Sequence, residues 1–362
     1  MKKIKITFLI LLILIGIQTF RITIQVKWVK ENATNAVSEY NMNEYSNNNE
    51  ILLSSPAEML DFPFIFGEKL YFYDLENQNK YLVDKKIKPL SGYGNSLGLG
   101  DKQIYYNEGF FGEGIEIYQK KIGNLIKRKQ ILDYAGIYSF DSENIYYMMD
   151  EEIEEGRNDL YKKNLKSGQK ETLFEGELSN VLRIDHSKIY TWDSGQKEVL
   201  EISKDGKEIA KCEGIDCPLW IGYKDKNGII IIEPDKIVCY DKQKRKKKTV
   251  IGGIKKEGKY FEYTAKYDEK TKDLYCNNYE MEFFCINMET GEKECFLSLK
   301  KDRSLNIPEE YYANVYYCKD YIAVDIVKYD TKAGIEICKR NLLIYDYNGK
   351  QIAKENLKGR LF

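Results

Sequence analysis

The chain has 362 residues, 43% of them apolar, which is enough to bury a sizeable core and too much for disorder to be the default. Lys plus Arg (56) nearly cancels Asp plus Glu (57), so the positive field of a general nucleic-acid binder is missing and no nucleic acid is expected as a partner. A single histidine, His186, leaves little room for imidazole acid–base chemistry or ligation; neither a cofactor nor a metal site is expected.

Lys2, Lys3 and Lys5 precede an apolar run from Ile6 to Phe20. A positive segment followed by an apolar one is the pattern of a secretory signal or signal anchor. Ile22, Ile24 and Val26 carry the run on to Trp28, which brings it to spanning length despite Arg21. No small-residue cleavage site follows, the first alanines being Ala33 and Ala36. The expected segment is an uncleaved anchor helix over residues 1–28, crossing the cell membrane once with its lysines cytoplasmic and the rest of the chain outside. Secretion after cleavage is the alternative. Residues 29–55 are polar and Asn-rich, a linker or stalk. Its end, Ile51–Ser55, is apolar enough to add an outer strand that closes a ring of sheets.

From residue 56 onward, strand patterns recur. Weak copies begin at Lys69–Asp74 and Gln103–Glu108. Between them Gly94-Asn95-Ser96-Leu97-Gly98 matches the nucleophile elbow, but that motif needs a helix after the serine and Leu97-Gly98-Leu99-Gly100 starts one poorly. The clearest unit comprises Asn144–Asp150, Asp159–Leu165 and Lys170–Gly176. Its acidic run Asp150–Glu155 lacks the alternating ligands of a calcium loop and reads as a solvated hairpin tip. The next unit comprises Lys188–Asp193, Glu198–Ser203 and Glu208–Gly214, with His186 in the turn ahead of it. Then come Gly228–Glu233, Lys236–Asp241 and Lys246–Gly253. The basic run Lys242–Lys248 in that unit either grips an anionic polymer or keeps a hairpin solvated. Asp273–Asn278, Glu282–Gly291 and Lys293–Leu299 follow, and Tyr321–Val327, Asn341–Gly349 and Lys350–Leu357 end the series.

The seven starts lie 34 to 48 residues apart, close to the period of a four-stranded propeller blade. Gly168, Gly206, Gly291 and Gly349 recur in hairpin turns that call for positive φ. Segments ahead of the later starts (Gly136–Phe140, Ser179–Ile184, Pro218–Tyr223, Tyr260–Tyr267 and Tyr311–Tyr317) supply the fourth strand of each unit. A lone four-stranded sheet leaves both faces bare; radial stacking covers them. The expected fold is an all-β propeller over residues 56–362, with seven four-stranded blades favoured over six.

Ile145–Gly176 and Ile189–Asp193, the latter a permuted echo of the YWTD signature, resemble the TolB-like and YWTD-like propellers. Those families include bacterial surface proteins similar to the propeller of low-density-lipoprotein-receptor-related proteins. The resemblance implies a propeller fold, with six blades usual in those families.

All eight cysteines lie in the C-terminal half, and the expectation is that most are free and buried. Cys212 and Cys217 are close enough to close a small loop, and Cys276 and Cys285 flank a hairpin turn. No C-x2-C spacing marks a zinc site. Trp192, at the end of one unit's second strand, and Trp220, in the next unit's first strand, are candidate binding residues on a common face, with packing between blades the competing role. The expected function is a monomeric, membrane-anchored extracytoplasmic module that binds a protein, peptide or envelope glycan and is not an enzyme. The alternative is a carboxylate-dependent glycan hydrolase or lyase on the same fold.

Overall fold

The computed structural model describes residues 49–54, 58–59, 66–87, 97–100, 103–108, 115–121, 128–141, 143–149, 158–185, 187–253, 261–300, 312–332 and 335–358. Every helix-or-strand element among them is a β-strand. The first sheet contains β1 (Glu50–Ser54), β2 (Glu58–Met59), β3 (Phe66–Asp74) and β4 (Asn79–Ile87), with β3 pairing the other three. A seven-stranded sheet follows in sequential order: β5 (Leu97–Gly100), β6 (Gln103–Glu108), β7 (Ile115–Lys121), β8 (Arg128–Phe140), β9 (Asn144–Met149), β10 (Leu160–Asn164) and β11 (Lys170–Phe174).

Four four-stranded antiparallel sheets complete the described chain. They are β12 (Leu178–Asp185) to β15 (Glu208–Glu213) through β13 (Lys188–Asp193) and β14 (Glu198–Ser203), then β16 (Trp220–Asp225), β17 (Gly228–Glu233), β18 (Lys236–Asp241) and β19 (Lys246–Ile251). The next is β20 (Phe261–Asp268), β21 (Asp273–Asn278), β22 (Glu282–Asn287) and β23 (Lys293–Ser298). The last is β24 (Tyr312–Tyr317), β25 (Tyr321–Lys332), β26 (Ile335–Asp346) and β27 (Gln351–Lys358).

The seven-stranded sheet has a simple origin. The start of β8 pairs with β7, as in Tyr118↔Gln130, and its end pairs with β9, as in Phe140↔Ile145. A register shift near Ala135 separates the two halves. One long strand thus serves as the last of one quartet and the first of the next.

Sequence pattern follows position within each sheet. Gly228–Glu233 is buried along its whole length, as a central strand covered on both faces must be. Glu208–Glu213, at an outer edge, buries only Cys212. Polar, charged outer strands discourage pairing with other chains. The entering strands β8, β12, β16, β20 and β24 contact one another in succession, which sets the sheets radially around an axis. The last sheet meets the first: Ile51, Tyr73 and Leu75 share a core with Cys318, Ala323, Leu342 and Ile344. Asn49 Nδ2 donates to Asp320 Oδ2 and the Asp320 amide donates back to Asn49 Oδ1, both at 2.8 Å. This is the arrangement of a β-propeller.

One expectation is corrected. The segment expected as an outer closing strand is β1, which pairs with β3 and contacts β5. It therefore takes the entering position that β12 or β16 holds in later sheets. The pairing explains why: β4 holds the other side of β3, so β1 lies on the side facing β5, and Ile51 is buried against the last sheet.

Candidate binding groove

Where the β12–β15 sheet faces the β16–β19 sheet, a groove of about 560 Å³ opens at the outer rim. One wall is β15; the other carries Tyr240, Lys242, Arg245 and Lys247. The second wall is shaped by the turn between β18 and β19. Asp241 Oδ1 accepts the Lys244 amide at 3.0 Å, and that hydrogen bond holds the Asp241 carboxyl below its ordinary range. Arg245 closes the turn at φ 50°, in the left-handed region.

Four cations line the groove against two carboxylates, Glu208 and Glu213. Three of the cations are engaged within the protein. Lys242 Nζ lies 2.9 Å from Oε2 of Glu201, with the two side chains 13% and 1% exposed. Lys247 Nζ donates to the carbonyls of Glu213 and Gly214 at 3.0 and 2.8 Å. Lys211 Nζ donates to Glu198 at 3.1 Å, which raises its pKa. Arg245 forms no hydrogen bond or ion pair with a described residue. The floor is neutral: burial pushes the Cys212 thiol up to about 11 and raises the Tyr240 phenol as well.

This arrangement is suited to holding an anion. It is not suited to two-carboxylate glycoside hydrolysis. Glu208 and Glu213 are five residues apart on one strand, or about 17 Å. Hydrolysis needs carboxyls roughly 5–10 Å apart.

The other sequence candidates fall elsewhere. Trp220 is 2% exposed and packs in the core between its sheet and the β20–β23 sheet, with the Arg183 guanidinium 4.5 Å from its ring centroid. Trp192 is half-buried, and its Nε1 donates to the Ile215 carbonyl at 3.0 Å. Each packs in a different inter-sheet core, so the structure does not bring the two together on one open surface. Ser96, His186 and Asp150–Glu155 lie outside the described residues. Leu97 to Gly100, directly after Ser96, form strand β5 rather than a helix. Cys212, Cys217, Cys276 and Cys285 are all free thiols, and the half-buried Cys239 and Cys285 hold the same place in β18 and β22. Among the described residues no group of three or more His, Cys, Asp or Glu could hold a metal ion. No helix among them is long and apolar enough to cross a membrane.

Buried carboxylates act between or within sheets. Asp141 accepts from Lys204 Nζ of the next sheet at 2.6 Å and from Tyr146 Oη at 2.9 Å. Glu282 accepts from Asn278 Nδ2 at 3.1 Å. Lys266 is the buried counterpart of opposite sign. Its Nζ donates to the Cys318 and Lys319 carbonyls at 2.8 and 2.7 Å and to Tyr347 Oη at 3.1 Å. The basic turn was legible as a charge run; the β15 wall, reading as an ordinary outer strand, was not.

No protein-family model and no curated protein matches the chain. Among solved structures, an oligogalacturonate lyase in complex with manganese is similar with a TM-score of 0.48 and 11% identity, over 80% of this chain and 86% of that one. An oligogalacturonate lyase from Vibrio parahaemolyticus gives a TM-score of 0.49 and 11% identity, over 81% and 88%. The tricorn protease gives 0.32 and 13% identity, covering 84% of this chain but 30% of its own length. These are likenesses of fold. The expectation that the chain is not an enzyme is corrected: two of the structures similar to it in fold are lyases.

Proposed function

We propose that the chain is a seven-bladed, YWTD-like propeller, held outside the cytoplasm by its N-terminal segment, that engages an anionic envelope glycan in the rim groove. The count of seven is supported by the first sheet, the two quartets that share β8, and the four separate sheets. The observation that carries the ligand class is the groove itself, with four cations against two carboxylates and one cation without a partner among the described residues. A volume of about 560 Å³ is within the usual range for small-ligand sites.

A second reading, a lyase acting on the same glycan, is favoured by the same cations. Abstracting a proton next to a uronate carboxylate requires that carboxylate to be neutralised as charge develops. Lyase is also the activity named for two of the structures of similar fold.

The test is a binding panel of neutral and uronate- or phosphate-bearing oligosaccharides against the full chain at low and high salt. Acidic members should bind, neutral ones should not, and salt should weaken binding because exposed charges are screened. A new ultraviolet band from an unsaturated uronate would select the lyase reading. Equal binding of neutral and acidic members would sink the proposal.

A further inference from the structure

Among the described residues, five junctions show both an outer strand and the turn of the sheet that follows it. At the first, Ile131 and Leu132 of β8 enter the core but Gly168 of the next turn has nothing within 4 Å of its would-be methyl, and three others share one packing device. In β11, β19 and β23 a bulge follows the pairs Leu160↔Phe174, Ile237↔Ile251 and Phe283↔Leu297. The extra residue places two consecutive apolar side chains in the core facing the next sheet: Leu173–Phe174, Val250–Ile251 and Phe296–Leu297. The bulged carbonyl then abuts a glycine in the next sheet's turn. A Cβ on Gly206 would collide with the Leu173 oxygen, one on Gly349 with the Phe296 oxygen, and one on Gly291 would sit 3.2 Å from the Val250 oxygen.

The remaining junction, at β15, abandons both halves of this device. In β15 the pairs Val199↔Cys212, Leu200↔Lys211 and Glu201↔Ala210 run in regular register, so Cys212 alone enters the core. The bulge falls later, at Ile209, which is 42% exposed. With no bulged carbonyl pressing on it, the next sheet's turn has room for a side chain. It carries Arg245 instead, four residues after Asp241, as Gly291 stands four after Asn287. Arg245 keeps a positive φ of 50°, which costs a non-glycine residue about 1 kcal/mol.

We infer that Arg245 is the anion-binding residue of the groove and that the shifted bulge of β15, with Cys212 on the floor, is the opening that admits the ligand. The inference rests on the anionic-glycan reading above and assigns its recognition chemistry: a carboxylate or phosphate on a short oligosaccharide segment. Lys197 and Lys272 end four-residue turns with the same positive φ, so the turn form accepts a side chain; the one at Arg245 is a planar donor fork that pairs with nothing described and lines the groove, which suits an oxyanion.

The test uses the full chain with two probes, a triuronide and a glycerol phosphate oligomer of similar length, which separate the two sources of the anion. Arg245→Gly relieves the strained φ, so its melting temperature should hold or rise. Its affinity for whichever probe binds should fall roughly tenfold or more, the loss expected for a charge-assisted hydrogen bond. Cys212→Leu, which refills the opening as Leu297 does in β23, should also weaken binding. Wild-type affinity in Arg245→Gly, or a lowered melting temperature, overturns the inference while leaving the glycan reading standing. Binding of neither probe by the wild-type chain overturns both.

Discussion

Lys266 shows what burial does to a charge inside this fold. It is 8% exposed, and burial lowers its pKa from 10.5 to about 8. Its ammonium is kept by two carbonyls and Tyr347 Oη, contacts that tie the β20–β23 sheet to the last sheet. Because the folded pKa is depressed, the unfolded chain binds the extra proton between about pH 8 and pH 10.5. Stability from this residue is therefore lowest below pH 8 and rises through that window, by at most about 3 kcal/mol. Buried thiols such as Cys212 act in the opposite sense, since their raised pKa makes alkaline pH favour the unfolded chain. Urea midpoints of wild type and Lys266→Met separate the two. The difference, wild type minus variant, should grow from pH 8 to pH 10; a difference flat with pH would refute the account of Lys266. At the groove the opposite economy holds: Lys242 and Glu201 neutralise each other, leaving Arg245 to face solvent.

At the scale of elements, hairpin glycines have two separable reasons. Gly168 has a φ of 76° but nothing within 4 Å of where a methyl group would sit, so only backbone conformation requires it. Gly206 has a φ of 84° and the Leu173 carbonyl in the way as well. Gly168→Ala should cost about 1–2 kcal/mol and Gly206→Ala distinctly more, measured by chemical denaturation. Equal costs would mean that the bulge-against-glycine contact has no energetic weight. These elements also show what sequence can carry. Central strands such as Gly228–Glu233 read clearly because both faces are buried and the apolar run is continuous. The fourth strands ahead of each unit, and the turns, were legible for the same local reasons. The groove was not, because it depends on where along β15 a single extra residue falls, Ile209 rather than a neighbour of Cys212. A one-residue shift leaves composition unchanged while exchanging which side chains face the next sheet. Trp192 and Trp220 were candidates for a common face with packing between blades as the competing role, and both side chains lie in inter-sheet cores.

Across the whole molecule, the ring is joined by residues far apart in sequence. Asn49 and Asp320 exchange two hydrogen bonds, and Ile51 packs on the last sheet. Such a closure fixes the angle between neighbouring sheets, and the rim gaps widen outward between outer strands. Three of the described gaps are filled by a bulge and a glycine, and the gap beside β15 is lined with charge. Sequence placed Ile51–Ser55 near the closure but not on the correct side, because an apolar pentapeptide does not reveal its pairing partner. The central claim is that this charged gap is where the ligand binds. Amide hydrogen exchange of the full chain, with and without a saturating acidic oligosaccharide, tests it most directly. The account predicts added protection confined to Glu208–Glu213 and the Lys242–Lys247 turn, with the corresponding turns at Lys204–Lys207 and Met288–Glu292 unchanged. Protection appearing elsewhere, with none in those two segments, would contradict it.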